Sequence, residues 1–146
     1  MLMNDLDYPD ALIADVLRSV KTIALVGASL KPDRPSHEVM KFLQGRNYRV
    51  IPVNPGLAGQ VVLGEIARES LAAITEQVDM VDIFRRSEMV APIVDQAIAI
   101  KAKVVWMQLG VRDDAAAAKA QAAGLIVIMD RCPKIETLRL LAMGLL

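Results

Sequence analysis

Residues 21–37 read KTIALVGASLKPDRPSH. An apolar run over 22–26 stops abruptly at Gly27-Ala28-Ser29, a polar segment with two prolines follows, and a new periodic pattern opens at Ser36. This succession predicts a strand, a tight loop and a helix, with Ser36 as the helix N-cap. Backbone N–H groups left unpaired at such a loop and at the first helical turn point outward together, so the stretch is a candidate anion site.

On the N-terminal side, Leu12, Ile13, Val16, Leu17 and Val20 fall on one helical stripe over 10–20, entered at Pro9-Asp10. On the C-terminal side, Val39, Met40, Phe42 and Leu43 carry the second helix to Gly45, and a strand over 48–53 ends in the turn Asn54-Pro55-Gly56. A short extended excursion is expected over 61–63 and a brief helix over 70–74. Strands over 79–84, 103–107 and 125–129 then alternate with helices over 88–100, 113–123 and 133–141, the first of these capped by Ser87.

Five apolar, β-branched-rich strands alternating with helices are buried on both faces, which is the pattern of an α/β protein with a doubly wound, mainly parallel five-stranded sheet flanked by helices. Right-handed crossovers gather every strand exit at one edge: Gly27-Ala28-Ser29, Asn54-Pro55, Phe84-Arg85, Gln108-Leu109-Gly110 and Arg131-Cys132.

The 146 residues fit a single domain over 1–146 that buries roughly 68–70% of the surface its unfolded chain exposes. Seventeen basic and seventeen acidic side chains cancel, so no global field draws the chain to nucleic acid or to an anionic membrane. No apolar run approaches the ~20 residues of a membrane span, and MLMNDLDYPD lacks the pattern of a signal peptide, so a cytoplasmic protein is expected. One cysteine, Cys132, and one histidine, His37, exclude an internal disulfide and a multi-cysteine zinc site and make a His-rich metal site or a His-centred triad hard to build.

A dinucleotide site of the G-x-G-x-x-G type also needs an acidic residue at the end of the second strand. Here Gly27 is followed by Ala28, Ser29 and Leu30, the next glycine is Gly45, and the second strand ends in Asn54-Pro55. Ser29, Arg34 and Ser36 add hydroxyls and a guanidinium fork, suited to more phosphate charge than a glycine-only cradle holds. Each also has a plainer use, Ser36 as a helix cap and Arg34 as a solvated loop residue. Asn54-Pro55 offers a purine a partner and a packing surface, or forms an ordinary turn. Phe84-Arg85 offers a ring to a base and a charge to a phosphate, or edge-of-core packing and a surface ion pair.

Taken in order, VGAS, RPS, PVNP, DMVDIFR, VWMQLG and DRCPK resemble the small bacterial CoA-binding proteins, whose domain is shared with the N-terminal part of the succinyl-CoA synthetase α subunit. The resemblance covers about residues 10–141. It implies a Rossmann-like fold with coenzyme A across the strand exits: Gly27, Ala28, Ser29, Arg34 and Ser36 on phosphates; Val53, Asn54 and Pro55 bordering the nucleotide, with Phe84 and Arg85 beside it; Gln108, Leu109 and Gly110 along the pantetheine arm. The synthetase also uses a phosphorylatable histidine in a further domain, to which His37 does not correspond, so ligase chemistry is not expected.

A non-catalytic CoA or acyl-CoA binding module, sensor or carrier is therefore the leading expectation. The alternatives are an enzyme acting on a CoA thioester, for which Asp82, Asp130 and Glu136 are the available carboxylates, and an NAD(P)-binding regulator. Cys132 precedes Pro133 at an expected helix start, beside Arg131 and Lys134, where thiolate is favoured. Its two readings are a redox contact that forms a mixed disulfide with CoA and an inert buried cysteine. Leu140, Leu141, Met143, Leu145 and Leu146 fit either a homodimer face or core packing.

Overall fold

The strand read from TIALV is present as β1 (Thr22–Val26), and its alternation builds both halves of the core. Ile23 and Leu25 face one side, Ala24 and Val26 the other. The computed structural model describes residues 6–146. Around β1 the parallel strands β2 (Arg49–Val53), β5 (Met80–Ile83), β6 (Val104–Met107) and β7 (Ile126–Ile128) form one sheet in the order β2-β1-β5-β6-β7. The doubly wound α/β architecture expected from the sequence is therefore the one observed.

Helices α1 (Asp10–Ser19), α2 (Pro35–Gly45) and α5 (Pro133–Ala142) cover the face of Ile23 and Leu25, burying Ile13, Leu17, Met40, Leu43 and Leu140 against Trp106 and Ile128. Helices α3 (Val90–Ala99) and α4 (Asp114–Ala122) cover the other, with Val90, Val94, Ala97 and Ala120 against Val81, Ile83 and Val105. The buried face of α4 is made of Ala116, Ala117 and Ala120.

Two expected caps are placed differently. Helix α2 begins at Pro35, with Arg34 in the cap position and no side-chain cap bond, while Ser36 is buried one residue further in. The fixed φ of proline preorganises the first helical position and moves the cap two residues back, from Ser36 to Arg34. Ser87 opens a short 3-10 turn, Ser87–Met89, and α3 starts only at Val90. Its hydroxyl accepts the Arg112 N–H at 2.9 Å instead of capping a helix.

The expected excursion at 61–63 is half of a hairpin, β3 (Val61–Val62) against β4 (Glu65–Ile66). Leu63 and Gly64 turn it, both with positive φ, the geometry of a two-residue primed turn. After it, Arg68 bridges Val53 in parallel, with its N–H on Pro52 O and its carbonyl accepting the Asn54 N–H. Arg49 and Arg68 meet Glu65 and Glu76 over this edge of the sheet, and the Arg68 guanidinium holds the Glu76 carboxyl well below the usual carboxylate range.

In the main sheet the winding direction reverses between β1 and β5. In an open α/β sheet the crevice beyond the carboxyl ends of the strands at such a switch point is the place for a ligand.

Candidate functional site

At that switch point lies a cleft of about 570 Å³. Gly27, Ala28 and Ser29 enter it from the exit of β1, Lys31, Arg34, Pro35 and Ser36 from the following loop and first turn of α2, and Asn54 from the exit of β2. The far wall is Phe84, Arg85 and Arg86 after β5, with Gln108, Leu109, Gly110 and Val111 after β6. Eleven of the thirteen cofactor-binding residues expected from the sequence thus share one cleft.

Gly27 is required by contact as well as by conformation. Its φ is +94°, and a Cβ there would stand 2.4 Å from the carbonyl oxygen of Phe84. The loop after β1 lies directly against the exit of β5, so only glycine fits. The N–H groups of Gly27 and Ala28 are not open to an anion: both reach Val53 O, at 2.9 and 3.3 Å. That corrects the expectation of an unpaired backbone cradle at these residues, because the neighbouring strand supplies their acceptor. The unpaired donors lie further on. Among the described residues no protein acceptor meets the N–H of Ser29 or of Ser36.

The loop between them is held by its own turns. Ser29 Oγ accepts the Lys31 N–H at 3.1 Å, and Lys31 O accepts the Arg34 N–H at 3.1 Å. Asn54 fastens this loop to the exit of β2, donating from Nδ2 to Ala28 O at 2.8 Å and accepting the Gly56 N–H on Oδ1 at 2.9 Å. Both poles of its carboxamide are engaged, so Asn54 positions the loop. Val53 and Pro55 do not line the main cleft. They border a smaller groove of about 140 Å³, which they share with Arg85.

On the opposite wall, Gln108 is 8% exposed and its Oε1 has no hydrogen-bond partner among the described residues. Its backbone closes a turn, with the Val111 N–H on Gln108 O at 2.8 Å. Asp130 holds the loop tip through the Gly110 N–H, 2.7 Å from its Oδ1, while its own φ of +56° aims it there. Asp130 therefore serves to hold the loop.

Lys31, Arg34, Arg85 and Arg86 all line the cleft, and among the described residues no carboxylate does. Among the described residues Arg86 pairs with Glu88 at 3.3 Å, both exposed, while Lys31, Arg34 and Arg85 have no carboxylate within ion-pair distance. A chain of zero formal net charge thus concentrates positive charge at one concave place. Sequence reasoning missed Lys31, Pro35, Arg86 and Val111, although Lys31 lies in the same polar loop as Arg34 and Arg86 adjoins Arg85. A second groove of about 280 Å³ continues the cleft past Ser29 and Lys31, walled by Leu30 and Leu57.

The remaining candidates lie elsewhere. Cys132 is buried at the cap position of α5, among the residues that α1 and α2 pack against, and does not line the cleft. His37 is half-buried in the first turn of α2 and does not line it either. Glu136 is buried and paired with Arg139 at 3.0 Å. Asp82 sits mid-strand on β5 with no exposure and, among the described residues, no partner for either oxygen, and burial pushes its carboxyl well above the usual range. Leu140 is buried, Leu146 packs against the same core, and Leu141, Met143 and Leu145 are exposed. Among the described residues there is no cluster of metal-ligating side chains, and no helix is long and apolar enough to cross a membrane.

A family model described as a CoA binding domain matches residues 21–137, and the chain belongs to that family. It is 39% identical over 123 residues to the uncharacterized protein YneT of Bacillus subtilis (strain 168), covering 84% of this chain and 90% of that protein. It is similar to the structure of a hypothetical protein from Pyrococcus horikoshii OT3, with a TM-score of 0.89 and 39% identity over 97% of this chain and 98% of that one. The dinucleotide forming acetyl-coenzyme A synthetase 1 of Ca. Korarchaeum cryptofilum, solved in complex with phosphate and ADP, shares the fold. Its TM-score is 0.66 at 20% identity, over 78% of this chain and 27% of that one.

Proposed function

We propose that the protein binds coenzyme A or an acyl-CoA along the carboxyl edge of its sheet and acts in the cytoplasm as a non-catalytic module, sensor or carrier. One observation carries this: a carboxylate-free cleft with four cations at the switch point, extended on one side by the groove of Leu30 and Leu57 and on the other by Gln108 to Val111. That is the charge and shape profile of an elongated ligand with phosphates in its middle, an aromatic base at one end and an uncharged arm at the other.

The diphosphate takes Ser29, Arg34 and Ser36 with the first turn of α2, where the unpaired Ser36 N–H and the helix dipole add to the charge. The pantetheine arm follows Gln108, Leu109 and Gly110, and the nucleotide adjoins Asn54, with Val53 and Pro55 behind it. Among the described residues no Asp, Glu, His, Cys or Tyr lines the cleft, which supports binding over turnover of a thioester. The exposed Leu141, Met143 and Leu145 are where a second copy would pack in a homodimer.

Titration calorimetry with CoA on protein stripped of ligand is the test. Saturable binding at one site per chain is expected. Absence of heat and of any thermal shift, with the protein folded by circular dichroism, rejects the proposal.

A further inference from the structure

Lys31 stands apart from the other cations of the site. Arg34 and Arg86 line the main cleft, and Arg85 lines it together with the small groove of Val53 and Pro55. Lys31 alone among the four lines both the main cleft and the groove of Leu30 and Leu57. Among the described residues that groove contains no other charged side chain, and Leu30, 44% exposed, forms an apolar lip on it. The Lys31 backbone is fixed at both ends, its N–H on Ser29 Oγ and its carbonyl under the Arg34 N–H. The side chain thus projects from a set point, and among the described residues no carboxylate neutralises it.

A nucleotide laid through the two depressions puts its base between Leu30 and Leu57, its diphosphate against Arg34 and the start of α2, and its ribose at the junction. A phosphate on the ribose then lies beside Lys31. We propose that Lys31 is the residue that selects a 3′-phosphorylated nucleotide, reading the ribose phosphate separately from the diphosphate. This rests on the CoA-binding function proposed above and adds to it an assignment of charge: Arg34 serves the diphosphate, Lys31 the 3′-phosphate. An ammonium suits the task, because a single phosphate on a flexible ribose is met by a point charge without the fixed fork of an arginine.

Calorimetry with CoA and with 3′-dephospho-CoA, on wild type, Lys31→Ala, Lys31→Arg and Arg34→Ala, tests it. Wild type is expected to prefer CoA. Lys31→Ala weakens CoA by about tenfold, the size of one charge-assisted contact, and leaves dephospho-CoA unchanged. Lys31→Arg restores much of the preference, and Arg34→Ala weakens both ligands alike. Equal loss of both ligands in Lys31→Ala, or no loss of CoA, overturns the assignment while leaving CoA binding intact. Failure of wild type to bind either ligand removes the underlying function instead. Because the Lys31 side chain is exposed, loss of folding does not confound the alanine variant.

Discussion

Asp82 makes a measurable claim on stability. It lies in register between Leu25 of β1 and Trp106 of β6, wholly buried, and neither carboxyl oxygen has a partner among the described residues. Charging it there would leave an uncompensated anion in the core, so the native protein keeps it protonated above the ordinary carboxylate range. The unfolded chain has no such constraint and releases the proton at an ordinary pKa. Between the two values the native state holds one more proton than the unfolded state, so stability is fully present below the unfolded pKa and falls as pH rises. The slope is about 1.4 kcal/mol per pH unit while the native carboxyl remains protonated. Asp82→Asn keeps the shape, has no proton to release and removes this slope. Urea unfolding of both proteins from pH 5 to pH 8 at fixed ionic strength measures the difference. Parallel curves over the whole range would refute the inference that Asp82 is buried and neutral.

Gly27→Ala places a non-glycine residue at φ +94° and its Cβ 2.4 Å from Phe84 O; a loss of about 2 kcal/mol or more, and a fall in Tm of roughly 4–8 °C, should appear on thermal unfolding. Arg34→Ala removes an exposed side chain with no ion-pair partner among the described residues, so the unfolding free energy should stay within the roughly 0.5 kcal/mol typical of surface changes. CoA affinity should drop about tenfold at low salt, and the deficit should shrink as salt rises. Asn54→Ala cuts the bonds to Ala28 O and Gly56 N–H: stability should fall by about 1–2 kcal/mol together with CoA affinity, whereas a residue that only pairs with a base would lose affinity at constant stability. Cys132 is buried, so an aromatic disulfide reagent should modify it only on the timescale of unfolding; fast reaction in the native protein would reopen its role as a redox contact with CoA.

The parts of the fold that were legible are those written in local periodicity. TIALV, RVIPV and VVWM are short apolar runs cut off by turn residues, and each is a buried strand. The β3–β4 hairpin was not legible because Leu63-Gly64 is a poor turn signal by composition, its positive φ at a leucine being tolerated for the sake of the pairing. Ser36 and Ser87 misled because a cap is inferred from one residue, while the helix start is decided by Pro35 in one case and by a tertiary bond to Arg112 in the other. At the site, residue types marked the wall, since loops at one sheet edge must converge. Hydrogen-bond ownership could not be read: that Val53 O claims the Gly27 and Ala28 N–H groups depends on a strand 26 residues away in the chain. Lys31 was overlooked because a lysine in a polar loop carries no local mark of the groove it will border.

The segment after β2 also bears on how the sheet meets other chains. An outer strand with open N–H and C=O groups is a template on which a further strand can grow. At β2 the carboxyl end of that template is occupied by the backbone of Arg68, and the Arg49, Arg68, Glu65 and Glu76 side chains are paired along it. At the opposite margin β7 offers three residues, and the N–H of Met129 just beyond them is taken by the Tyr8 hydroxyl at 2.9 Å. The polymerisable length of the sheet is thus shortened at both margins, which protects a chain with 54% apolar residues from fibrillar self-templating at high concentration.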